Sequence, residues 1–99
     1  MYVIDNIVYA GEPVDDLSVI EVKIVDRLCL IVTFNNKEQR IFDCIELLNY
    51  PVYQELLNQS VFETVAIQHG IIVWKDGDID ISTEKVYRMS YPYNNQLVI

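Results

Sequence analysis

Asp76, Asp78 and Asp80 alternate along one short stretch, and alternating carboxylates are what a calcium-binding loop presents in its first half. Gly77 lies between the first two, however, and no glutamate follows where an EF-hand places its closing bidentate ligand. We therefore predict an exposed hairpin loop here rather than a calcium site. No metal ligands are predicted elsewhere in the chain.

His69 is the only histidine, and with Cys29 and Cys44 it could form a nucleophilic Cys–His pair or part of a metal site. The spacing supports neither, because the chain has no Cys-x-x-Cys or His-x-x-x-His motif. Its three glycines are also too scattered for a phosphate-binding loop. We predict that His69 is a structural or exposed turn residue and that Cys29 is a small core residue. The sequence thus predicts no catalytic residues, no cofactor and no enzymatic activity.

Trp74 is the only tryptophan, and it ends an apolar run that begins at Ile71. The turn Lys75-Asp76-Gly77-Asp78 follows, and an alternating Ile79-Asp80-Ile81 comes after it. An Asp-Gly pair between two β-prone runs favours a tight hairpin, because both residues tolerate positive φ. We predict a hairpin at this point, with Trp74 buried against the core.

Seven tyrosines are many for a chain of 99 residues, and four of them lie near the ends: Tyr2, Tyr9, Tyr91 and Tyr93. Tyrosine offers a large contact area at a low cost in side-chain entropy, so these residues could form a surface for a partner. Packing of the two terminal segments on each other is an equally good interpretation. The candidate binding residues are Trp74, Asp76, Asp78, Tyr87, Tyr91 and Tyr93.

Alternating hydrophobicity predicts the strands that position these residues. Ser18 to Val25 has a period of two, and its predicted core face consists of Ile20, Val22 and Ile24. Leu28 to Phe34 is apolar on both faces, which indicates a central strand covered by helices on one side. A turn at Asn35-Asn36-Lys37 then leads into a strand from Glu38 to Asp43.

The register of this hairpin decides how close the two cysteines lie. If the turn centres on Asn36-Lys37, Cys29 lies opposite Cys44. If it centres on Asn35-Asn36, the cysteines are diagonal neighbours about 7–8 Å apart, too far for easy bridging. The sequence leaves both registers open. Free thiols are predicted, because the cytoplasm is reducing.

Short helices are predicted in the later part of the chain. Pro51 to Leu57 has apolar residues at helical spacing and a proline suited to the first helical position. Ser60 is a candidate N-cap for a turn at residues 61–63, and Ser82 is one for the last helix, Thr83 to Met89. Tyr91 to Asn95 is predicted to be irregular. The expected fold class is α+β, with a small antiparallel sheet built from hairpins and short helices packed on one face.

Length and composition predict a single domain over residues 1–99, since 52% of the residues are hydrophobic. Its core spans 18–89, with an N-terminal ribbon at 1–17 and a C-terminal tail at 90–99. Fifteen acidic and seven basic residues give an acidic chain of net charge −8. Such a field repels phosphate backbones, so no nucleic-acid partner is predicted. The excess acid maintains solubility or faces a basic partner.

No membrane partner is predicted, because no apolar run approaches the ~18 residues that a membrane span needs. Asp5 interrupts the first apolar stretch, and no basic region precedes it as a signal peptide would require. Two cysteines in such a chain are typical of reduced thiols rather than a secreted disulfide scaffold. We therefore expect a cytoplasmic protein.

The order and spacing of several stretches carry a family resemblance. The stretches are Tyr9–Glu12, Leu30–Phe34, Arg40–Asp43 with Leu47-Leu48, Val61–Glu63, and Val73–Ile81 followed by Ser82–Tyr87. With these, the chain resembles the bacterial domain of unknown function 2442 family. The resemblance implies a small α+β domain in a bacterial cytoplasm, and it brings no established activity and no catalytic residues. Some relatives are fused to a helix-turn-helix domain, and others are suspected partners in toxin–antitoxin-like gene pairs.

We expect a small non-enzymatic binding or regulatory module that recognises another protein or forms a homodimer. One half of a toxin–antitoxin-like pair would fit this description. The alternative is a small-molecule-sensing domain with a pocket between sheet and helices, near Trp74 and Tyr87. A deep apolar pocket with converging polar groups would favour that alternative.

The chain is expected not to bind duplex DNA, since seven bases scattered among fifteen acids do not offset phosphate repulsion. Fluorescence anisotropy of a labelled random duplex at low ionic strength measures this directly. Salt-dependent binding in the micromolar range would contradict the prediction and would reveal a basic face.

Overall fold

Short antiparallel hairpins make up most of the protein in the computed structural model, which describes residues 17–93. The strands are β1 (Val19–Asp26), β2 (Cys29–Phe34), β3 (Gln39–Asp43), β4 (Ala66–Gln68), β5 (Ile71–Trp74), β6 (Ile79–Ile81) and β7 (Tyr91–Pro92). The α-helices are α1 (Gln59–Phe62) and α2 (Thr83–Met89), and 3-10 helices span Cys44–Asn49, Pro51–Leu57 and Lys75–Gly77. This arrangement confirms the small α+β fold.

The strands form two antiparallel sheets, where the sequence led us to expect one. The first sheet has the order β1–β2–β3–β7, and the second has the order β4–β5–β6. β2 lies between two neighbours, as its apolar faces predicted, and its Leu30, Val32 and Phe34 are fully buried. The short helices add core residues to the same cluster, namely Leu47, Leu56, Phe62 and Val86.

β1 contains a β-bulge that its period-two pattern did not predict. While β1 advances from Val19 to Glu21, the pairing partner in β2 advances by one residue, so Ile20 is an extra residue. Val19 is therefore buried and Ile20 is 58% exposed, so the prediction that Ile20 faces the core is wrong. Val22 and Ile24 do pack against the core, where both are half-buried.

The β2–β3 hairpin closes around a three-residue loop, Asn35–Lys37, rather than either of the two-residue turns considered from the sequence. The Phe34 amide donates to the Glu38 carbonyl oxygen at 2.9 Å, which places three residues between the strands. Lys37 takes the left-handed conformation at φ 74° that such a loop needs at its end.

This register places Cys29 opposite Asp43, with Cys44 one residue further along the chain. Successive residues of a strand point to opposite faces, so the two cysteines diverge. Cys44 is fully buried in the core, while Cys29 is half-buried on the other face of the sheet. Both are free cysteines.

Pro51–Leu57 is a 3-10 helix, and its burial pattern differs from the predicted 3.6-residue period. Residues three apart share a face in a 3-10 helix, so Tyr53 and Leu56 turn inward together. Val52 and Leu57 are consequently exposed, at 58% and 51%, although the helical spacing had placed both on the buried side.

The two α-helices begin at different kinds of cap. Asn58 caps α1, because its side chain accepts a hydrogen bond from the Ser60 amide at 3.0 Å, so the predicted cap at Ser60 is wrong. Ser82 caps α2 as predicted, accepting from the Lys85 amide at 3.2 Å. After α2 the chain is not irregular as expected, since Tyr91–Pro92 pairs with β3.

The β5–β6 hairpin forms where the Asp-Gly pair predicted it, with Trp74 opposite Ile79. Its loop has three consecutive residues at positive φ: Lys75 at 54°, Asp76 at 57° and Gly77 at 99°. Such a run is unfavourable for residues other than glycine, so contacts outside the loop must hold it. One of them is the Thr64 hydroxyl, which accepts from the Lys75 amide at 2.8 Å.

Gly70 connects the second sheet to the first. It follows His69 in the turn between β4 and β5, and its carbonyl oxygen accepts a hydrogen bond from the Val19 amide at 2.9 Å. Its φ is 78°, and a Cβ at this position would lie 2.7 Å from the Ser18 Cβ. Glycine is required here by both the backbone conformation and the close approach of the two segments.

Residues of both sheets meet in one hydrophobic core, and Trp74 lies fully buried within it. Its indole stacks on the Phe62 ring, with centroids 6.4 Å apart. The structure confirms the prediction that Trp74 packs the hairpin against the core. The ribbon predicted at 1–17 lies outside the described residues apart from Leu17, and of the tail at 90–99 only residues 90–93 are described.

Replacing Trp74 by alanine is expected to lower the free energy of unfolding by roughly 3–5 kcal/mol, because a large buried side chain leaves a cavity. Urea denaturation followed by far-UV circular dichroism measures the loss. Val52→Ala is the control, since an exposed apolar residue should change stability by less than about 0.5 kcal/mol. A loss under ~1 kcal/mol for Trp74→Ala would contradict the core role.

Candidate functional site

One face of the first sheet, here called the outer face, is turned away from the core. The strand registers arrange its side chains in two rows that cross the sheet. The polar row consists of Glu21, Thr33 and Gln39, and the isoleucine row consists of Lys23, Ile31, Ile41 and Tyr91. All of these residues are half-buried or exposed, whereas alternate residues of the same strands enter the core.

Long hydrogen bonds connect the polar row. Thr33 Oγ1 donates to Glu21 Oε1 at 3.5 Å and accepts from Gln39 Nε2 at 3.3 Å. Tyr93 extends the row, because its backbone amide donates to the Gln39 carbonyl oxygen at 2.9 Å. Bonds of this length hold the side chains weakly, so the carboxylate of Glu21 remains open to a better partner.

A cavity of about 160 Å³ opens where the two rows meet. Its lining consists of Glu21, Lys23, Ile31, Thr33, Gln39 and Tyr93. Pockets that enclose drug-sized ligands measure roughly 300–1,000 Å³, so this one is too small for them. Its volume suits a single side chain or a small fragment, which would meet an apolar wall and charges of both signs.

Tyr91 and Tyr93 are the two candidate binding residues that the structure places on the outer face. Tyr91 lies opposite Ile41 and is 52% exposed. Tyr93 is half-buried and forms part of the cavity wall. Aromatic side chains beside exposed aliphatic ones provide the contact area that protein interfaces favour.

Tyr87 lies on the core side of the first sheet instead. Its hydroxyl donates to Glu38 Oε1 at 2.6 Å, and the Arg40 guanidinium lies 4.4 Å from its ring centroid. Arg40 also donates to the Ser90 hydroxyl at 2.8 Å and to the Ser90 carbonyl oxygen at 2.7 Å, and it pairs with Glu38 at 3.1 Å. These four residues, here called the helix clamp, hold α2 on β3.

The helix clamp shifts the pKa values of two of its members in opposite directions. The hydrogen bond from Tyr87 lowers the pKa of Glu38, and Asn36 and Arg40 lower it further against the opposing effect of burial. The hydrogen bond to Glu38 raises the pKa of Tyr87, with burial and the glutamate charge acting in the same direction. The clamp therefore requires an ionised Glu38 and a protonated Tyr87.

Trp74 is enclosed by protein and offers no surface to a ligand. Its Nε1 is buried and has no hydrogen-bond partner among residues 17–93. An unpaired buried donor costs about 1–3 kcal/mol, so packing against neighbours such as Phe62 must outweigh that cost. Trp74 contributes to the core and not to the outer face.

Asp76 and Asp78 lie on the exposed loop of the β5–β6 hairpin, in the second sheet. Asp76 accepts a hydrogen bond from Gln68 Nε2 at 3.4 Å, and Lys75 Nζ pairs with Glu55 at 3.1 Å. Within the described part of the chain, no three acidic, histidine or cysteine side chains are grouped to hold a metal ion. The loop and the outer face belong to different sheets, so the six predicted binding residues do not form one site.

The two cysteines are poor candidates for nucleophiles. Burial raises the pKa of Cys29, and the charges of Asp43 and Asp26 raise it further. Burial also raises the pKa of Cys44 to about 12, with smaller contributions from Asp43 and Cys29. Both thiols stay protonated at neutral pH, and the thiolate is the reactive form. His69 is an exposed residue of the β4–β5 turn.

Sequence reasoning missed most of the outer face. The period of two in β1 places Glu21 and Lys23 on the face opposite Val22 and Ile24, but nothing in the sequence links them to Tyr93. That link requires the registers of three strand pairs together. The only signal in the sequence was the shared period of β1, β2 and β3, which brings alternate residues to one face.

Stability is expected to fall at both ends of the pH range because of the helix clamp. The pKa of Glu38 is lowered by folding, so its contribution is present above its unfolded pKa of about 4.3 and is lost as the pH falls through the folded value. The pKa of Tyr87 is raised, so its contribution is present below about pH 10 and is lost as the pH rises through the folded value. Urea unfolding of the wild type, Glu38→Gln and Tyr87→Phe across the pH range tests this.

The stability difference between the wild type and Glu38→Gln should shrink in acid, and the difference from Tyr87→Phe should shrink in strong base. Differences that do not change with pH would show that the clamp contributes nothing through ionisation.

No helix among residues 17–93 is long and apolar enough to cross a membrane. No curated protein and no solved structure matches the chain. The model of the family described as Protein of unknown function (DUF2442) matches residues 19–92, which run from the start of β1 to the end of β7. The resemblance noted in the sequence is confirmed, and the chain belongs to the DUF2442 family.

Proposed function

We propose that this protein is a non-enzymatic binding module that recognises another protein through the outer face of its first sheet. The observation that carries the proposal is the isoleucine row, in which the half-exposed Tyr91 lies beside Ile41, on the same face as a small cavity lined by Ile31 and Tyr93. A regulatory role as one half of a toxin–antitoxin-like pair fits a module of this kind. The setting we propose is a bacterial cytoplasm, as the resemblance to the family implies.

The cavity supports recognition of a protein side chain. Binding energy at interfaces is concentrated where one residue fills a pocket on its partner and water is excluded around it. A volume of about 160 Å³ is adequate for one such side chain, and Ile31 and Tyr93 give it apolar walls. Tyr91, exposed on the same face two residues before Tyr93, would contact the partner beside the cavity.

Charge supports a partner with a basic surface. The full chain carries a net charge of −8, and a complementary partner would associate faster and in a preferred orientation. Glu21 on the cavity rim, bonded to Thr33 at only 3.5 Å, is the carboxylate best placed to meet a cation of that partner.

Small-molecule sensing is the second candidate function, and the same cavity is the observation that favours it. The site expected near Trp74 and Tyr87 is occupied by core packing and by the helix clamp. A ligand would therefore bind on the outer face, and it would have to be small and polar to suit the lining.

Tyr91→Ser is expected to weaken partner binding by about 30-fold, because truncating an aromatic contact at an interface costs about 2 kcal/mol. Affinity capture from native cell extract followed by mass spectrometry identifies the partner, and calorimetry gives both dissociation constants. Val52→Ser is the matched control, since Val52 is 58% exposed on a 3-10 helix outside this face.

Equal binding by the wild type, Tyr91→Ser and Val52→Ser would contradict recognition through the outer face. Failure of protein capture, together with a metabolite that raises the melting temperature of the wild type, would favour the sensing function instead.

A further inference from the structure

The edge of β1 that faces away from β2 is the end of the first sheet. Among the described residues, only Val19 uses this edge for a backbone hydrogen bond, which its amide donates to Gly70. From Glu21 onward, the backbone groups on this side pair with no strand in the described part of the chain. An edge of this kind is a template for pairing with another strand.

The sequence along this edge is complementary to itself about Val22. Ile20-Glu21-Val22-Lys23-Ile24 has the same pattern from either end, except that the two charges have opposite signs. In an antiparallel pair with Val22 opposite its own copy, Glu21 of each chain lies opposite Lys23 of the other. Opposite charges in such positions stabilise a strand pair, and like charges destabilise it.

The side chains involved are free to make these contacts. Lys23 forms no ion pair with any residue between 17 and 93, and Glu21 has only its 3.5 Å contact with Thr33. A second chain would give each of the two charges a counterion, while Ile20 lies in the bulge outside the regular pairing.

We propose that a second copy of this chain pairs with this edge of β1, which is unpaired among residues 17–93, forming an antiparallel dimer centred on Val22. The dimer joins two four-stranded sheets into one continuous sheet. Register shifts at Ile20 and between Ile24 and Asp26 bracket the regular stretch, so pairing is confined to this short segment. Among the described residues, the far edge of each sheet is the two-residue strand β7 with Pro92, which lacks an amide donor, so we expect assembly to stop at two chains.

This inference goes beyond the proposed function, because it concerns strand pairing at the sheet edge, although Glu21 and Lys23 also belong to the outer face. Pairing at Val22 would nevertheless extend the recognition surface. Glu21 and Lys23 line the cavity of each copy, so the two cavities would lie side by side across the dimer axis. A partner with two matching side chains would then bind both copies at once.

Charge reversal in β1 tests the dimer. Glu21→Lys and Lys23→Glu each place like charges opposite one another, at positions 21 and 23, twice in the symmetric dimer. Each variant should therefore raise the dimer dissociation constant by about tenfold or more. The double variant carrying both changes restores opposite charges and should dimerise like the wild type. An equimolar mixture of the two single variants should form a heterodimer, because a strand with two lysines then meets a strand with two glutamates.

Sedimentation velocity over a concentration series measures each dissociation constant for the full chain. Glu46→Lys and Lys37→Glu are the matched controls, since they change the net charge equally at exposed positions outside β1. Recovery of association in the mixture also shows that the single variants are folded.

A wild type that stays monomeric at all concentrations would overturn the inference, and so would single variants that dimerise like the controls. Neither result bears on the capture experiment with Tyr91→Ser, because that substitution leaves the charges of β1 unchanged. A wild type that is monomeric and still captures its partner in a Tyr91-dependent manner would therefore reject this inference alone.

Discussion

Neither sheet of this protein can bury its apolar residues without the other. The second sheet has three strands of three or four residues, and sheets that small need a packing partner to be stable in water. Its Ile72, Trp74 and Ile81 enter the same cluster as the inner residues of β2, so each sheet is the other's cover. The hydrogen bond from Val19 to Gly70 fixes how the sheets meet. This core uses one face of the first sheet, and the opposite, outer face is the one through which we propose recognition.

Features that depend on local sequence could be predicted, and features that depend on backbone register could not. The period of β2, the Asp-Gly hairpin and the serine cap of α2 all follow from neighbouring residues. The errors at Ile20 and at Val52 have one origin. A β-bulge shifts the period-two pattern by one residue, and a 3-10 helix has about 3 residues per turn instead of about 3.6. An apolar sequence pattern is compatible with either backbone.

In the candidate site, too, some residues could be predicted from the sequence and others could not. Tyr91 and Tyr93 could be proposed from the sequence because tyrosines near an end are hard to bury. Trp74 and Tyr87 were predicted to lie near a pocket between sheet and helices, yet an aromatic residue with one polar atom suits a core and a ligand site equally well. Only burial and partners separate the two roles: Trp74 has no exposed surface, and the Tyr87 hydroxyl is held by Glu38.

The topology also sets the order in which the parts can form. Every strand pair except β3–β7 joins neighbours in the sequence, so most pairing needs only short loops to close. The bonds from Arg40 to Ser90 span 50 residues and cannot form until the last helix has been synthesised. During translation, β3 therefore waits with an uncovered edge while the second sheet and α2 are made. In that interval the edge of β3 can pair with other chains, and the arrival of Ser90 and β7 covers this edge.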